Sequence, residues 1–142
     1  MKKNIALLLL LLILAGCSSE QQEPQKENGP VGQAPFTSIP AHTAQGLMKN
    51  KNDLVILDVR TSQEIRRHGA LAGSRQASLR AIFQDQLTVA KETPIMVVCA
   101  VGGRSYAAGQ IMVRQGFQEI YNLRGGLDEW KRAALPVVYP KK

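Results

Sequence analysis

The chain has 142 residues, two of them cysteines, and a formal net charge of +7 at pH 7. No dense basic block occurs apart from the terminal pair Lys141-Lys142, and no aromatic-and-basic pattern accompanies the charge, which argues against a nucleic-acid-binding protein. The two histidines, His42 and His68, are far apart in sequence, so we expect neither a metal site nor a cofactor.

The first sixteen residues, 1–16, have the composition of a cleavable signal peptide. A positive start, Lys2-Lys3, precedes an apolar run over residues 5–14, which is too short for a membrane-spanning helix of about 20 apolar residues. The ending Leu14-Ala15-Gly16-Cys17 resembles the lipobox of bacterial lipoproteins. That resemblance implies cleavage before Cys17 and lipidation of its sulfur. An ordinary secretory signal that ends near a cysteine is the alternative.

A lipid on Cys17 would anchor the protein to a membrane of the cell envelope. Ser18 after Cys17, with no aspartate there, resembles outer-membrane sorting in Gram-negative cells, which implies the outer membrane facing the periplasm. In a Gram-positive cell the same anchor would face outward from the plasma membrane. Residues 17–35 are rich in Gln, Glu, Pro, Gly and Ser, which predicts a flexible linker. The remaining residues, 36–142, are enough for one small domain, which we expect to be monomeric.

Strand and helix patterns alternate along residues 36–142, which indicates an α/β domain with a mainly parallel sheet. Short apolar runs predict buried strands over residues 54–58, 95–99 and 119–123. Amphipathic spacing predicts helices over residues 40–49, 62–67, 79–91, 104–115 and 127–133. Gly116 is typical of the residue that ends a helix, whereas residues 70–78 show no clear period.

The connection between the strand at 95–99 and the next helix carries Cys99. In parallel α/β sheets, ligands bind where a strand ends and a helix begins. Gly102 and Gly103 would let the backbone curl so that successive N–H groups form an anion-binding nest, and the helix dipole adds positive potential there. Both effects lower the pKa of a thiol, whose thiolate is the reactive form. Arg104 adds a permanent charge and a donor fork suited to oxyanions.

An unpaired cysteine in an exported protein needs an explanation. If Cys17 carries a lipid, Cys99 has no partner within the chain for a disulfide. Cys99 is then either an inert core residue at the end of a strand or a reactive thiol. The two glycines, the arginine and the helix start that follow it favour the reactive thiol, because a core cysteine needs none of them.

Three motifs in order give the resemblance to a known family. Residues 99–105, Cys-Ala-Val-Gly-Gly-Arg-Ser, resemble the rhodanese active-site pattern C-x-x-G-x-R-S. Upstream, residues 57–60 with Glu64 resemble the family's L-I-D-V-R…E. Downstream, Gly116-Phe117 and the segment from Tyr121 to Trp130 resemble GF…V-x-x-L-x-G-G-x-x-x-W. The stretch from Gly69 to Ser78 departs from the family's G-H-I-x-G-A-x-N-I-P, with Ala70 in place of histidine. His68 lies close by, and we interpret it as a surface residue at a helix end.

The resemblance implies a three-layer rhodanese-like α/β domain, with helices on both faces of the central sheet. It also implies a sulfurtransferase in which Cys99 is the nucleophile and carries sulfur as a persulfide. The donor would be thiosulfate or another sulfane-sulfur compound, and the acceptor a thiol or cyanide. Asp58 and Arg60 would have a supporting hydrogen-bonding role, and Trp130 would be a packing residue. The persulfide cradle would consist of Ala100, Val101, Gly102, Gly103, Arg104 and Ser105.

Arg104 either binds an anionic donor or holds the loop, and the sequence leaves both roles open. Two other functions are alternatives to a sulfurtransferase. A cysteine phosphatase uses the longer spacing C-x5-R, whereas four residues separate Cys99 from Arg104, so the loop fits sulfur better than phosphate. The second alternative is a persulfide- or redox-sensing module, or a partner-binding module, without turnover.

Overall fold

The structure is a computed structural model that describes residues 35–140. The predicted signal peptide, the lipidation site Cys17 and all of the predicted linker except Pro35 lie outside the described residues. Within residues 35–140, every helix is too short or too polar to cross a membrane.

Five strands form one sheet in which every neighbouring pair is parallel. The order across the sheet is β1-β5-β4-β2-β3. The strands are β1 (Phe36–Ile39), β2 (Val55–Asp58), β3 (Arg75–Gln76), β4 (Ile95–Val98) and β5 (Ile120–Leu123). The predicted parallel sheet is therefore confirmed, and the three predicted strands each agree within one residue at either end. Edge strands β1 and β3 were not predicted, because β1 mixes polar with apolar residues and β3 has only two residues, both exposed.

Helices cover both faces of the sheet, which confirms the three-layer arrangement. They are α1 (Ala41–Asn50), α2 (Ser62–His68), α3 (Leu79–Phe83), α4 (Gly103–Arg114) and α5 (Gly126–Arg132). Successive side chains of a strand point to opposite faces. Met96 and Tyr121 accordingly share one core with α1 and α5, whereas Val97 and Ile120 share the other with α3 and α4. Helix α2 buries none of its residues and lies beside the sheet's carboxyl edge.

The helix predicted over residues 79–91 is wrong beyond Phe83. Gln84 caps α3, and Asp85 then adopts a left-handed backbone with φ of +52°, which stops the helix. Leu87 and Val89 pack against the core although they lie outside a helix. Their apolar spacing therefore resembled the pattern of a helix that does not form. Gly116, by contrast, follows the C-cap of α4 with φ of +92°, as predicted for a helix-ending glycine.

A buried ion pair closes the carboxyl end of β2. Arg60 Nη2 lies 2.6 Å from Asp58 Oδ2, and both side chains are only 1% exposed. Arg60 Nη2 also donates to the carbonyl of Gly69 at 2.7 Å, which ties the end of α2 to β2. Both side chains are thus engaged in hydrogen bonds that hold the edge of the sheet where the cysteine loop lies.

Alanine substitutions at two helical glycines should have opposite effects on the free energy of unfolding. A Cβ on Gly109 of α4 would lie 2.4 Å from Phe36 Cε2, whereas nothing lies within 4 Å of a Cβ on Gly46 of α1. We expect Gly46→Ala to raise the free energy of unfolding by about 0.5–1 kcal/mol, since alanine is the better helix former. Gly109→Ala should lower it by about 1–3 kcal/mol through overpacking. Urea denaturation measures both, and an equal gain from the two variants would contradict this packing of β1 on α4.

The buried ion pair should contribute far more than an exposed one. We expect Asp58→Ala to lower the free energy of unfolding by about 3–5 kcal/mol, because it leaves the Arg60 charge buried and unpaired. Arg132→Ala is the control, since it breaks the exposed pair with Glu129 on α5, and should cost less than about 1 kcal/mol. Thermal or urea denaturation gives both values. Similar losses for the two variants would mean that Arg60 reaches solvent when its partner is removed.

Candidate active site

The loop from Cys99 to Gly102 leads from β4 into α4 at the carboxyl edge of the sheet. Strand β4 lies between β5 and β2 and is buried throughout, so it fixes the start of this loop. Cys99 follows directly after β4 and is completely buried. The predicted position of the thiol, between the end of a strand and the start of a helix, is therefore the observed one.

Helix α5 holds the beginning of the loop through two backbone hydrogen bonds. The Leu127 N–H donates to the carbonyl of Cys99 at 2.9 Å, and the Asp128 N–H donates to that of Ala100 at 3.0 Å. In a trans peptide the C=O and N–H groups point in opposite directions. Because both carbonyls are drawn toward α5, the N–H groups of the same peptides turn the other way, into the loop.

Two glycines permit this close approach. Gly126 has φ of +59°, and a Cβ on it would lie 2.5 Å from the carbonyl oxygens of both Cys99 and Ala100. Gly102 has φ of +91°, and a Cβ there would lie 3.0 Å from the backbone nitrogen of Gly125. Only glycine adopts such backbones freely, and any side chain at Gly126 would push α5 away from the loop.

The loop N–H groups converge on the sulfur of Cys99. The Gly102 N–H donates to Sγ at 3.1 Å, and the Ser105 hydroxyl lies 3.4 Å from it. Hydrogen bonding from the N–H groups of Val101 and Ser105 also lowers the pKa of the thiol. Burial by itself raises the pKa of Cys99, yet these hydrogen bonds together hold that pKa below the ordinary value for a cysteine. The backbone N–H groups of the loop therefore favour a thiolate, and the Ser105 hydroxyl adds to them when it donates to the sulfur.

A chain of polar side chains continues from Ser105 beneath the loop. Ser105 Oγ lies 2.7 Å from Asn122 Oδ1, and Asn122 Nδ2 donates to Ser38 Oγ at 2.9 Å. Asn122 and Ser38 were not among the predicted site residues. The available signal was a polar residue inside the otherwise apolar strand β5.

Arg104 contacts Glu64 of α2. Its two terminal nitrogens donate to the two carboxylate oxygens, at 3.1 and 2.5 Å. Glu64 also completes a capping box with Thr61 at the start of α2, which fixes the position of the carboxylate. The hydrogen bonds from Arg104 and Thr61 lower the pKa of Glu64 to about 2. The same pairing raises the pKa of Arg104.

The other predicted loop residues have different surroundings. Val101 is 64% exposed at the tip of the loop, whereas Ser105 is completely buried. Gly103 is the first residue of α4, lacks a left-handed backbone and has open space around it. Gly102 therefore supplies the positive φ on which the predicted curl depends, whereas Gly103 does not.

A cavity of about 250 Å³ borders the loop on the side of Ala100. Its walls come from α2 and from the start of α5, and they consist of Arg60, Glu64, His68, Ala100, Leu127 and Asp128. His68 is exposed at the end of α2, as interpreted, but it also contributes to this wall. Across residues 35–140, no three His, Cys, Asp or Glu side chains cluster as metal ligands would.

Comparisons with known proteins agree with this geometry. The family model for the rhodanese-like domain matches residues 41–133. The chain is 31% identical over 105 residues to the thiosulfate sulfurtransferase GlpE of Vibrio cholerae, a match that covers 72% of this chain and 94% of that protein. It is also 31% identical over 94 residues to a sulfurtransferase of Allochromatium vinosum, covering 66% and 87% of the two chains.

A solved structure shows the same fold. The crystal structure of a rhodanese-related protein from Thermoplasma volcanium superposes with a TM-score of 0.64 at 26% identity, covering 72% of this chain and 98% of that one. The parallel sheet with helices on both faces agrees with this match. The chain belongs to the rhodanese-like domain family.

Proposed function

We propose that the domain is a sulfurtransferase that carries sulfane sulfur as a persulfide on Cys99. The convergence of the loop N–H groups on Cys99 Sγ is the observation that carries this proposal. A thiolate and a persulfide anion both place negative charge inside this ring of donors. Preorganised N–H donors stabilise such charge without having to reorient during the reaction. The sulfurtransferase relatives give the same reaction class.

The transfer would proceed in two steps. The Cys99 thiolate attacks the outer sulfur of thiosulfate, an S–S bond forms to Cys99, and sulfite leaves with the electron pair of the broken S–S bond. A thiolate or cyanide acceptor then attacks the outer sulfur of the persulfide. The electron pair of that S–S bond returns to Cys99, which regenerates the thiolate. Covalent catalysis of this kind divides one transfer into two easier displacements.

Arg104 would hold the loop rather than bind the donor. Glu64 already accepts hydrogen bonds from both terminal nitrogens of Arg104, and its carboxylate neutralises the guanidinium charge. The pair links α2 to the first turn of α4, directly after the loop. To bind Arg104, an anionic donor would therefore have to displace the Glu64 carboxylate, which the capping box holds in position.

A sensing module without turnover is the second candidate. Cys99 is completely buried, so a donor reaches Sγ only when the loop widens. Slow access suits a protein that loads one sulfur and keeps it. Steady-state assays with thiosulfate and cyanide distinguish the two functions, because an enzyme shows ping-pong kinetics and a sensor stops after one equivalent.

The proposed site of action is the cell envelope. The support for it is the lipobox-like sequence that ends at Cys17, together with the polar segment between Ser18 and Pro35. A lipid on Cys17 would hold the domain at a membrane of the cell envelope, where the domain would use small sulfur donors and acceptors.

Thiosulfate should add one sulfur atom to Cys99. The Cys17→Ser background leaves Cys99 as the one cysteine of the chain. In that background we expect intact-mass measurement to show a gain of one sulfur, which cyanide then removes. The matched control is the further change Cys99→Ser, which should not load. A protein that stays unmodified with thiosulfate and with organic persulfides, or a control that loads equally, would disprove the persulfide proposal.

Releasing Arg104 from its partner should favour anionic donors. Glu64→Gln keeps the capping box, since glutamine also serves at this position, but removes the carboxylate charge. We expect loading from thiosulfate to become several-fold faster, because one more net positive charge near the loop is worth about 1 kcal/mol in water. Loading from a neutral organic trisulfide should change little. Stopped-flow measurement of both donors checks this. A change in the shape of the loop would alter both rates alike, so an unchanged ratio of the thiosulfate rate to the trisulfide rate would contradict the effect of charge.

A further inference from the structure

The Ser105 hydroxyl has one hydrogen and three acceptors within reach. These are Asn122 Oδ1 at 2.7 Å, the Gly102 carbonyl at 3.1 Å and Cys99 Sγ at 3.4 Å. A hydroxyl donates one hydrogen bond and accepts others. The sulfur therefore receives the Ser105 hydrogen only when neither Asn122 nor the Gly102 carbonyl does, and Asn122 is the nearest of the three acceptors.

The orientation of the Asn122 amide decides this competition. In the structure its carbonyl faces Ser105 and its NH₂ faces Ser38. The hydrogen bonds then run outward from the sulfur, from Ser105 to Asn122 to Ser38. A thiol suits this direction, since Cys99 S–H can donate to Ser105 Oγ.

A half-turn of the amide reverses the direction with no movement of other heavy atoms. Asn122 Nδ2 would then donate to Ser105, Ser38 would donate to Asn122 Oδ1, and Ser105 would donate to Sγ. A thiolate or persulfide anion needs this arrangement, because it accepts hydrogen bonds and donates none. Ser105 and Asn122 are 0% and 3% exposed, so their polar atoms depend on each other rather than on water.

We propose that Asn122 is a positioning residue that acts through Ser105, and that its amide reverses when Cys99 changes between the thiol and the thiolate. Ser105, Asn122 and Ser38 form a hydrogen-bond relay. Ser38, on the edge strand β1, is its last member and exchanges the roles of donor and acceptor with the Asn122 amide. The relay makes either charge state of sulfur compatible with a fully hydrogen-bonded site. The inference rests on the proposed function in so far as Cys99 is its reactive thiol.

Other charged groups lie near the loop that carries Cys99. A test of the relay must leave their charges and positions unchanged. Arg104 interacts directly with the charge on Cys99. The remaining groups come from β2 and its following turn, from α2 and from α5, and they are Asp58, Arg60, Glu64, His68 and Asp128. None of them bonds to Asn122 or Ser38 in the hydrogen bonds of residues 35–140, so substitutions in the relay leave these groups in place.

Nuclear magnetic resonance tests the reversal directly. In the Cys17→Ser background, absorbance of the thiolate at different pH values gives the titration midpoint of Cys99, with Cys99→Ser as the blank. We expect the Asn122 side-chain NH₂ hydrogens to show Overhauser contacts to Ser38 below that midpoint and to Ser105 above it. Contacts that stay with Ser38 throughout the titration would overturn the proposal. No sulfur donor is used, so this result is independent of whether thiosulfate loads the protein.

Substitutions give a second, ordered test. Charge-assisted hydrogen bonds are about twice as strong as neutral ones, so loss of the relay harms the thiolate more than the thiol. We expect Ser105→Ala to raise the midpoint by about one pH unit and Asn122→Leu by about 0.3–0.5 unit. Tyr121→Phe, on the same strand but bonded to Glu119 instead, is the control and should leave it unchanged. An unchanged or lowered midpoint for Asn122→Leu would overturn the relay, and the wild-type spectra decide the question if that variant does not fold.

Discussion

Two hydrogen bonds from the first turn of α5, to the carbonyls of Cys99 and Ala100, govern the geometry of the cysteine loop. They turn the carbonyls outward, and the peptide geometry then directs N–H groups inward to the sulfur. The contact needs a glycine at 126, since a Cβ would lie 2.5 Å from both carbonyl oxygens. Gly126, which belongs to the family-like segment from Tyr121 to Trp130, therefore helps to set the surroundings of Cys99.

The same loop imposes two opposing demands on Cys99. Burial against the core that contains α4 disfavours charge on the sulfur, whereas the loop N–H groups and Ser105 favour it. The balance lies with the hydrogen bonds, because several act on one atom in a site without competing water. Complete burial also limits access, so reactivity in this protein depends on how readily the loop widens as well as on the pKa of the thiol. The ion pair between Arg104 and Glu64 joins the end of the loop to α2 and should therefore oppose that widening.

Local patterns predicted most of the fold, and they failed where a structure depends on distant partners. The apolar runs of β2, β4 and β5 are visible in the sequence because these strands are buried. The two residues of β3 are exposed, and they form a strand only through pairing with β2. At the site, Cys99 and its loop were predictable from spacing, but the Arg104–Glu64 contact joins residues forty positions apart. Asn122 was missed for a similar reason, since its partners Ser38 and Ser105 come from other elements.

The direction of the donors bears on which anion the loop can hold. The Gly102 N–H points at Cys99 Sγ itself, at 3.1 Å, and hydrogen bonding from the N–H groups of Val101 and Ser105 lowers the pKa of the same thiol. A loop built for phosphate would need its donors to converge on a point beyond the sulfur, where the oxygens of a bound group lie. Its arginine would also need free donors for that group, whereas both terminal nitrogens of Arg104 are bonded to Glu64. A persulfide would place its outer sulfur only one S–S bond from Sγ, nearer to these donors than the oxygens of a bound phosphate would be. The geometry thus favours sulfur over phosphate on grounds independent of the residue spacing.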